Sequence, residues 1–97
     1  MLHTVNKSPF SNGALDDCLR FAKAGDSILL LEDGVYAAAA GSTQSDKMAK
    51  AIADYAVYAI SADVSARGLK RIMDGVKVIN YGDFVDLVEK NLTHSWM

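Results

Sequence analysis

The feature that most constrains the fold is the apolar run "SILLLE" at Ser27–Glu32. Its apolar residues are consecutive rather than alternating, which is typical of a β-strand that is buried on both faces. Such strands occur mainly in parallel sheets that have helices packed above and below them. The run therefore predicts an α/β fold with a central parallel sheet.

Strand-like and helix-like segments alternate along the rest of the chain. Further strands are predicted at Leu2–Asn6, Ala56–Ile60 and Val76–Tyr81, and the tail "THSWM" is either a short last strand or a loose end. The first helix is predicted from Ser11 or Asn12 to about Ala24, before Gly25, and a short second helix covers "VYAAAA" and ends at Gly41. The third is predicted to begin after a cap at Ser45 and to run through "DKMAKAIADY". The last two are predicted from Ser61 or Asp63 to Gly68, and from Gly82 or Asp83 to about Asn91. This order indicates one domain over residues 1–97, with helices on both faces of a parallel sheet.

Composition restricts the class of function. The 97 residues carry a net charge of −2 and are 51% hydrophobic, as in an ordinary globular domain. A mildly acidic chain is a poor candidate for direct nucleic-acid binding, which depends on Lys and Arg neutralising phosphates. No apolar run approaches the roughly 20 residues that span a bilayer. The N-terminus also lacks the features of a secretion signal, so a cytoplasmic location is expected.

Cys18 is the only cysteine, and its position allows two interpretations. It shares the apolar stripe of the predicted first helix with Leu15 and Ala22, which favours a buried structural role. The neighbouring Asp17 also disfavours a thiolate. The alternative is a thiol at the edge of the stripe that stays reachable and reactive.

The loop after the apolar run is a second candidate site. Ligands of open parallel sheets bind where loops leave the carboxyl ends of strands, and Glu32 and Asp33 lie at such a point. The simpler interpretation is that Asp33 caps the next helix and that Gly34 permits the turn. Arg67 is expected to pair with Asp63, one helical turn away.

Two further side chains are candidates for structural or functional roles. Trp96 lies beside the end of the chain, where a free indole is unfavourable, so we expect at least half of it to be buried as an anchor within the chain or against a partner. His3 lies on the first predicted strand, as a proton carrier or, more simply, as a packed and hydrogen-bonded histidine.

Five features in one order resemble a known family: "MLHTVNKSP", "LLLEDGVYAA", "DVSARGL", "YGDFVDL" and the near-terminal Trp96. Together they resemble the DsrH/TusB family over essentially the whole chain. The resemblance implies a DsrE/F/H-like fold, with three layers and a parallel five-stranded sheet. DsrH-like members often carry a cysteine on the first helix. Cys18 in "DDCLRF" matches that residue and, with "NKSPF" and "EDGVYAA", places the chain closer to DsrH.

The resemblance also implies a function. Members are subunits of a cytoplasmic persulfide sulfur-relay complex, together with DsrE/TusD-like and DsrF/TusC-like subunits. The complex passes sulfur to a downstream acceptor protein, either towards 2-thiouridine at the tRNA wobble position or within sulfur oxidation. The principal sulfur-accepting cysteine belongs to the DsrE/TusD-like partner. The resemblance implies no metal, organic cofactor, membrane or direct nucleic-acid contact.

Two hypotheses follow for this chain. In the first, Cys18 carries sulfur by attacking the outer sulfur of a partner's persulfide. In the second, the chain is a docking subunit and the chemistry takes place on a partner's cysteine. Whether the chain alone is catalytic is left open. A weaker alternative is an independent flavodoxin-like ligand-binding domain, although the sequence has no GxGxxG or Walker-type loop. The small sheet and the apolar helix surfaces favour an oligomer.

Overall fold

The computed structural model describes all 97 residues. It contains five β-strands, which are β1 (Leu2–Val5), β2 (Ser27–Leu30), β3 (Ala56–Ile60), β4 (Val76–Ile79) and β5 (Thr93–Trp96). The helices are α1 (Ala14–Phe21), α2 (Ser45–Asp54), α3 (Ser61–Ala66) and α4 (Tyr81–Lys90), and a 3₁₀ helix spans Glu32–Ala38. None of these helices combines the length and the apolar character that crossing a membrane requires.

The strands form one parallel sheet in the order β4-β3-β2-β1-β5. The apolar run forms β2 at the centre, which confirms the prediction of a buried parallel strand. The tail forms β5 at one edge, where Trp96 lies opposite Val5 of β1. Of the two alternatives for the tail, the last strand is therefore correct.

Helices cover both faces of the sheet, as predicted. Successive residues of a strand point to opposite faces, so Ile28 and Leu30 lie on one face and Leu29 lies on the other. The first face packs against α1, α2, α3 and the 3₁₀ helix in the main core. On the second face, Leu29 belongs to a small cluster that packs against Phe84 and Leu87 of α4. The result is a three-layer α/β fold.

The helix boundaries differ from the predicted ones at several places. Helix α1 is shorter than expected, because Gly13 takes the N-cap position and the backbone is already extended at Ala22. The side chain of Asn12 accepts a hydrogen bond from the Ala14 amide, so it supports the turn before the helix. Gly25 has a φ of +90° and serves the turn into β2 rather than the end of the helix.

The other corrections concern helix starts. Residues 35–40 were predicted to form the second helix, whereas the 3₁₀ helix already begins at Glu32, and no side chain caps it. The capping role predicted for Asp33 is therefore wrong. Ser45 is the first residue of α2 rather than its cap. Helix α4 begins at Tyr81, because the Asn80 side chain accepts a hydrogen bond from the Asp83 amide.

Candidate functional site

The thiol of Cys18 is enclosed in the main core. Helix α1 turns Leu15 and Cys18 toward β1 and β5, and Cys18 is 0% exposed. Its sulfur has no hydrogen-bond partner, so no base is placed to take its proton. Burial, together with the negative charge of Asp26, raises the pKa of Cys18 to about 12. The thiol is therefore neutral and shielded in this conformation.

A hydrogen-bond network around the buried His3 joins both ends of the chain to the turn before β2. His3 is 1% exposed; its Nε2 lies 2.9 Å from an Asp26 carboxylate oxygen, and its Nδ1 accepts a hydrogen bond of 3.0 Å from the Trp96 indole. Since the indole nitrogen can only donate, Nδ1 must be unprotonated and Nε2 must carry the hydrogen. The network thus fixes one tautomer of His3 and occupies both of its ring nitrogens.

Asp26 is the charged centre of this network. Its carboxylate accepts hydrogen bonds from the Lys23 amide, from His3 and from the N-terminal ammonium group. The pKa of Asp26 is held well below its usual range, chiefly by the Lys23 amide and then by His3. A stable negative charge here works against a thiolate at Cys18.

Trp96 is partly buried and anchored within the chain, which confirms the prediction made for it. Its ring packs against Phe21 of α1, with ring centroids 5.7 Å apart, and against the core cluster that contains Cys18. His3 is packed and hydrogen-bonded, as the simpler interpretation predicted. Asp26 was not predicted as a site residue, because its only signal in the sequence is its place between a turn glycine and a buried strand.

The motifs "EDGVYAA" and "DVSARGL" meet at the carboxyl edge of the sheet. The Arg67 Nε donates a hydrogen bond of 2.9 Å to Asp33, and its Nη1 lies 3.7 Å from a carboxylate oxygen of Asp63. The backbone amide of Glu32 donates to Asp63 at 2.9 Å, which supports the positive φ of +49° at Glu32. The predicted pair of Arg67 with Asp63 is present, and the closer contact is with Asp33.

Gly34 is required here for a steric reason. A Cβ atom at this position would overlap the carbonyl oxygen of Val5 and lie 2.9 Å from its carbonyl carbon. The absence of a side chain lets the 3₁₀ helix cross the end of β1 at close range. Glu32, Asp33, Gly34 and Arg67 therefore form one structural junction, at the opposite end of β2 from Asp26.

The surface offers no chemistry that would replace the thiol. A groove of about 450 Å³ lies between α1 and α2, but its lining residues do not include Cys18. Both acidic and basic side chains line it, among them Asp46 and Lys50. No group of three or more His, Cys, Asp or Glu side chains is arranged to hold a metal ion.

Comparison with known proteins places the sequence in a family. The family model described as "DsrH like protein" matches residues 7–94. The protein TusB of Serratia proteamaculans (strain 568) is 40% identical, with 99% of this chain and all of that protein covered. The protein TusB of Erwinia tasmaniensis is 41% identical and that of Escherichia coli O1:K1 / APEC is 40% identical, each over 94% of both chains. The sequence motifs indicated the DsrH/TusB family, and both names recur in these matches. The chain therefore belongs to the DsrH-like family.

Proposed function

We propose that this chain is a docking subunit of a persulfide sulfur-relay complex, in which a partner's cysteine carries the sulfur. Family membership supports the part of the proposal that concerns the complex. The complete burial of Cys18 is the observation that favours docking over sulfur carriage. The proposed partners are a DsrE/TusD-like subunit, a DsrF/TusC-like subunit and a downstream acceptor protein.

The chemistry of transfer explains why burial matters. Accepting sulfur requires a thiolate that reaches the outer sulfur of a persulfide. Because burial raises the pKa of Cys18 to about 12, its side chain is almost entirely the neutral thiol at pH 7. The persulfide must also approach the sulfur atom, which α1 turns into the core. Sulfur carriage by Cys18 stays a prediction that requires α1 to move away from the sheet.

The names of the relatives favour one of the two pathways. The relatives reported above are TusB proteins, and the resemblance associates Tus complexes with 2-thiouridine at the tRNA wobble position. We therefore propose that the complex acts in the cytoplasm in tRNA thiolation rather than in sulfur oxidation. The chain itself needs no metal or organic cofactor for this role.

The experiment is to reconstitute the complex with wild-type chain or with Cys18→Ala and to measure sulfur delivery to the acceptor protein. Alanine keeps the site apolar, so the variant is expected to assemble and to deliver sulfur within about twofold of the wild-type rate. Replacing the sulfur-accepting cysteine of the DsrE/TusD-like partner should abolish delivery. A Cys18→Ala complex that assembles normally but loses delivery would overturn the proposal.

A further inference from the structure

Helix α4 carries an apolar surface that the fold leaves exposed. Tyr81, Val85 and Val88, named here the α4 stripe, are 52%, 51% and 38% exposed. We propose that the α4 stripe docks an amphipathic helix of a partner subunit, one whose apolar face is bordered by Lys or Arg. This inference rests on the proposed function and adds to it the surface and the chemistry of the contact.

The α4 stripe is distinct from the side of α4 that packs on the sheet. Phe84 and Leu87 make the contact with the small cluster on the second face of the sheet. At 3.6 residues per turn, the three residues of the stripe lie within about 60° of one another, beside Phe84 on the helix circumference. A surface helix of a monomer needs one apolar stripe, whereas α4 has apolar residues on two adjacent sides.

The exposed apolar surface continues past the end of the helix. The Leu2 amide donates a hydrogen bond of 2.7 Å to the carbonyl of Leu92, which brings Leu92 next to the start of β1. Leu92 is 79% exposed and Met1 is 49% exposed. Leu92 follows the extended residue Asn91 at the end of α4, so it lies between the helix and β5. An apolar strip of this length fits a helix better than it fits a small molecule.

Acidic side chains border the α4 stripe on its solvent side. On the helix circumference, Glu89 lies about 40° beyond Val85 in the direction away from the sheet, and Asp86 lies about 60° further round, on the flank of α4 that also carries Lys90. Both are exposed, and neither makes an ion pair within the chain. The two carboxylates of α1, by contrast, are paired: Asp16 with Lys47 and Asp17 with Arg20. The acidic border of α4 is therefore free to pair with a partner.

The charges decide between a partner subunit and a second copy of this chain. A symmetric contact between two α4 stripes would gather the Glu89 and Asp86 carboxylates of both copies around one apolar interface. Like charges brought together across an interface are unfavourable, whereas basic residues around an apolar helix face would complement them. The occupant is therefore a different chain with a basic border.

The test measures binding of purified, co-expressed DsrE-like and DsrF-like subunits to the full chain. Val85→Asp combined with Val88→Asp is expected to weaken binding by roughly 100-fold. Asp86→Lys combined with Glu89→Lys is expected to weaken it about tenfold at about 0.1 M salt, with a smaller difference at about 1 M salt. The matched control is Ala49→Asp, an exposed apolar-to-acidic change on α2, on the other face of the sheet; it should bind as the wild type does.

Three results would overturn the inference, and circular dichroism first establishes that each variant is folded. Wild-type binding by the folded Val85→Asp, Val88→Asp chain would show that the partners bind elsewhere. If the isolated wild-type chain forms a homodimer and the Val85→Asp, Val88→Asp chain is a monomer, the stripe serves self-association instead. If the wild-type chain binds neither subunit, the proposed function fails as well, whereas the first two results leave it standing.

Discussion

Gly34 shows how one residue type can be dictated by the path of the backbone. The sequence places it in "EDGV" after a buried strand, where it reads either as part of a ligand loop or as a turn. The structure gives a steric reason, since the 3₁₀ helix passes too close to Val5 for a side chain. Two backbones that approach this closely lie almost thirty positions apart in the sequence, so no local pattern predicts the contact.

Replacing Gly34 with alanine should therefore destabilise the fold. The added Cβ forces the 3₁₀ helix and β1 apart, and we expect the free energy of unfolding to fall by about 2 kcal/mol or more. Urea denaturation at pH 7 measures the change. The control is Gly13→Ala, where a Cβ meets no atom within 4 Å and the loss of a good N-cap residue predicts a smaller cost of about 1 kcal/mol or less. Equal effects of the two substitutions would contradict the steric explanation.

Asp26 gives the fold a dependence on pH. Its pKa is lower in the folded chain than in the unfolded chain, because the Lys23 amide and His3 stabilise the carboxylate. The stabilisation is fully present above the unfolded pKa, about 3.9, and is lost progressively as the pH falls below it.

We therefore expect the free energy of unfolding of the wild type to decrease between about pH 5 and pH 3. The Asp26→Asn variant should be less stable at pH 7 and should lose less stability over that interval. Urea denaturation at several pH values compares the two slopes. Parallel slopes for the two proteins would show that Asp26 does not cause the pH dependence.

At the scale of elements, strands were predicted better than helix boundaries. The apolar run of β2 and the short β-rich runs of β1, β3 and β4 identify buried or half-buried strands directly, and the observed strands lie within the predicted ones. Helix ends depend on individual capping contacts, and these can use an unexpected residue, as at Asn80 before α4. His3 lies 23 positions from Asp26 and 93 positions from Trp96 in the sequence, so only the folded sheet brings these three side chains together.

Helix α4 should depend on its cap, because none of its residues is fully buried. Asn80→Ala removes the acceptor for the Asp83 amide, and we expect a loss of about 1 kcal/mol in the free energy of unfolding. Asn80→Asp retains an acceptor and serves as the control, with a stability close to that of the wild type. A loss of similar size in both variants, measured by urea denaturation, would argue against capping by Asn80.

For the whole molecule, the three layers explain why the cysteine and the docking surface are separate. Cys18 belongs to the well-covered first face, where several helices enclose the main core. The second face carries α4 alone, and its exposed apolar residues are directed outward. The fold thus shields its only thiol and leaves the opposite side available for assembly.

The most direct test of this account is the intact mass of the chain after mixing with a persulfide-loaded DsrE-like partner, in the assembled complex. We predict that neither the wild-type chain nor a Cys18→Ser control gains sulfur. The partner should keep its persulfide until the acceptor protein is added. A wild-type chain that gains one sulfur, when the Cys18→Ser chain gains none, would contradict the docking role and establish Cys18 as a carrier.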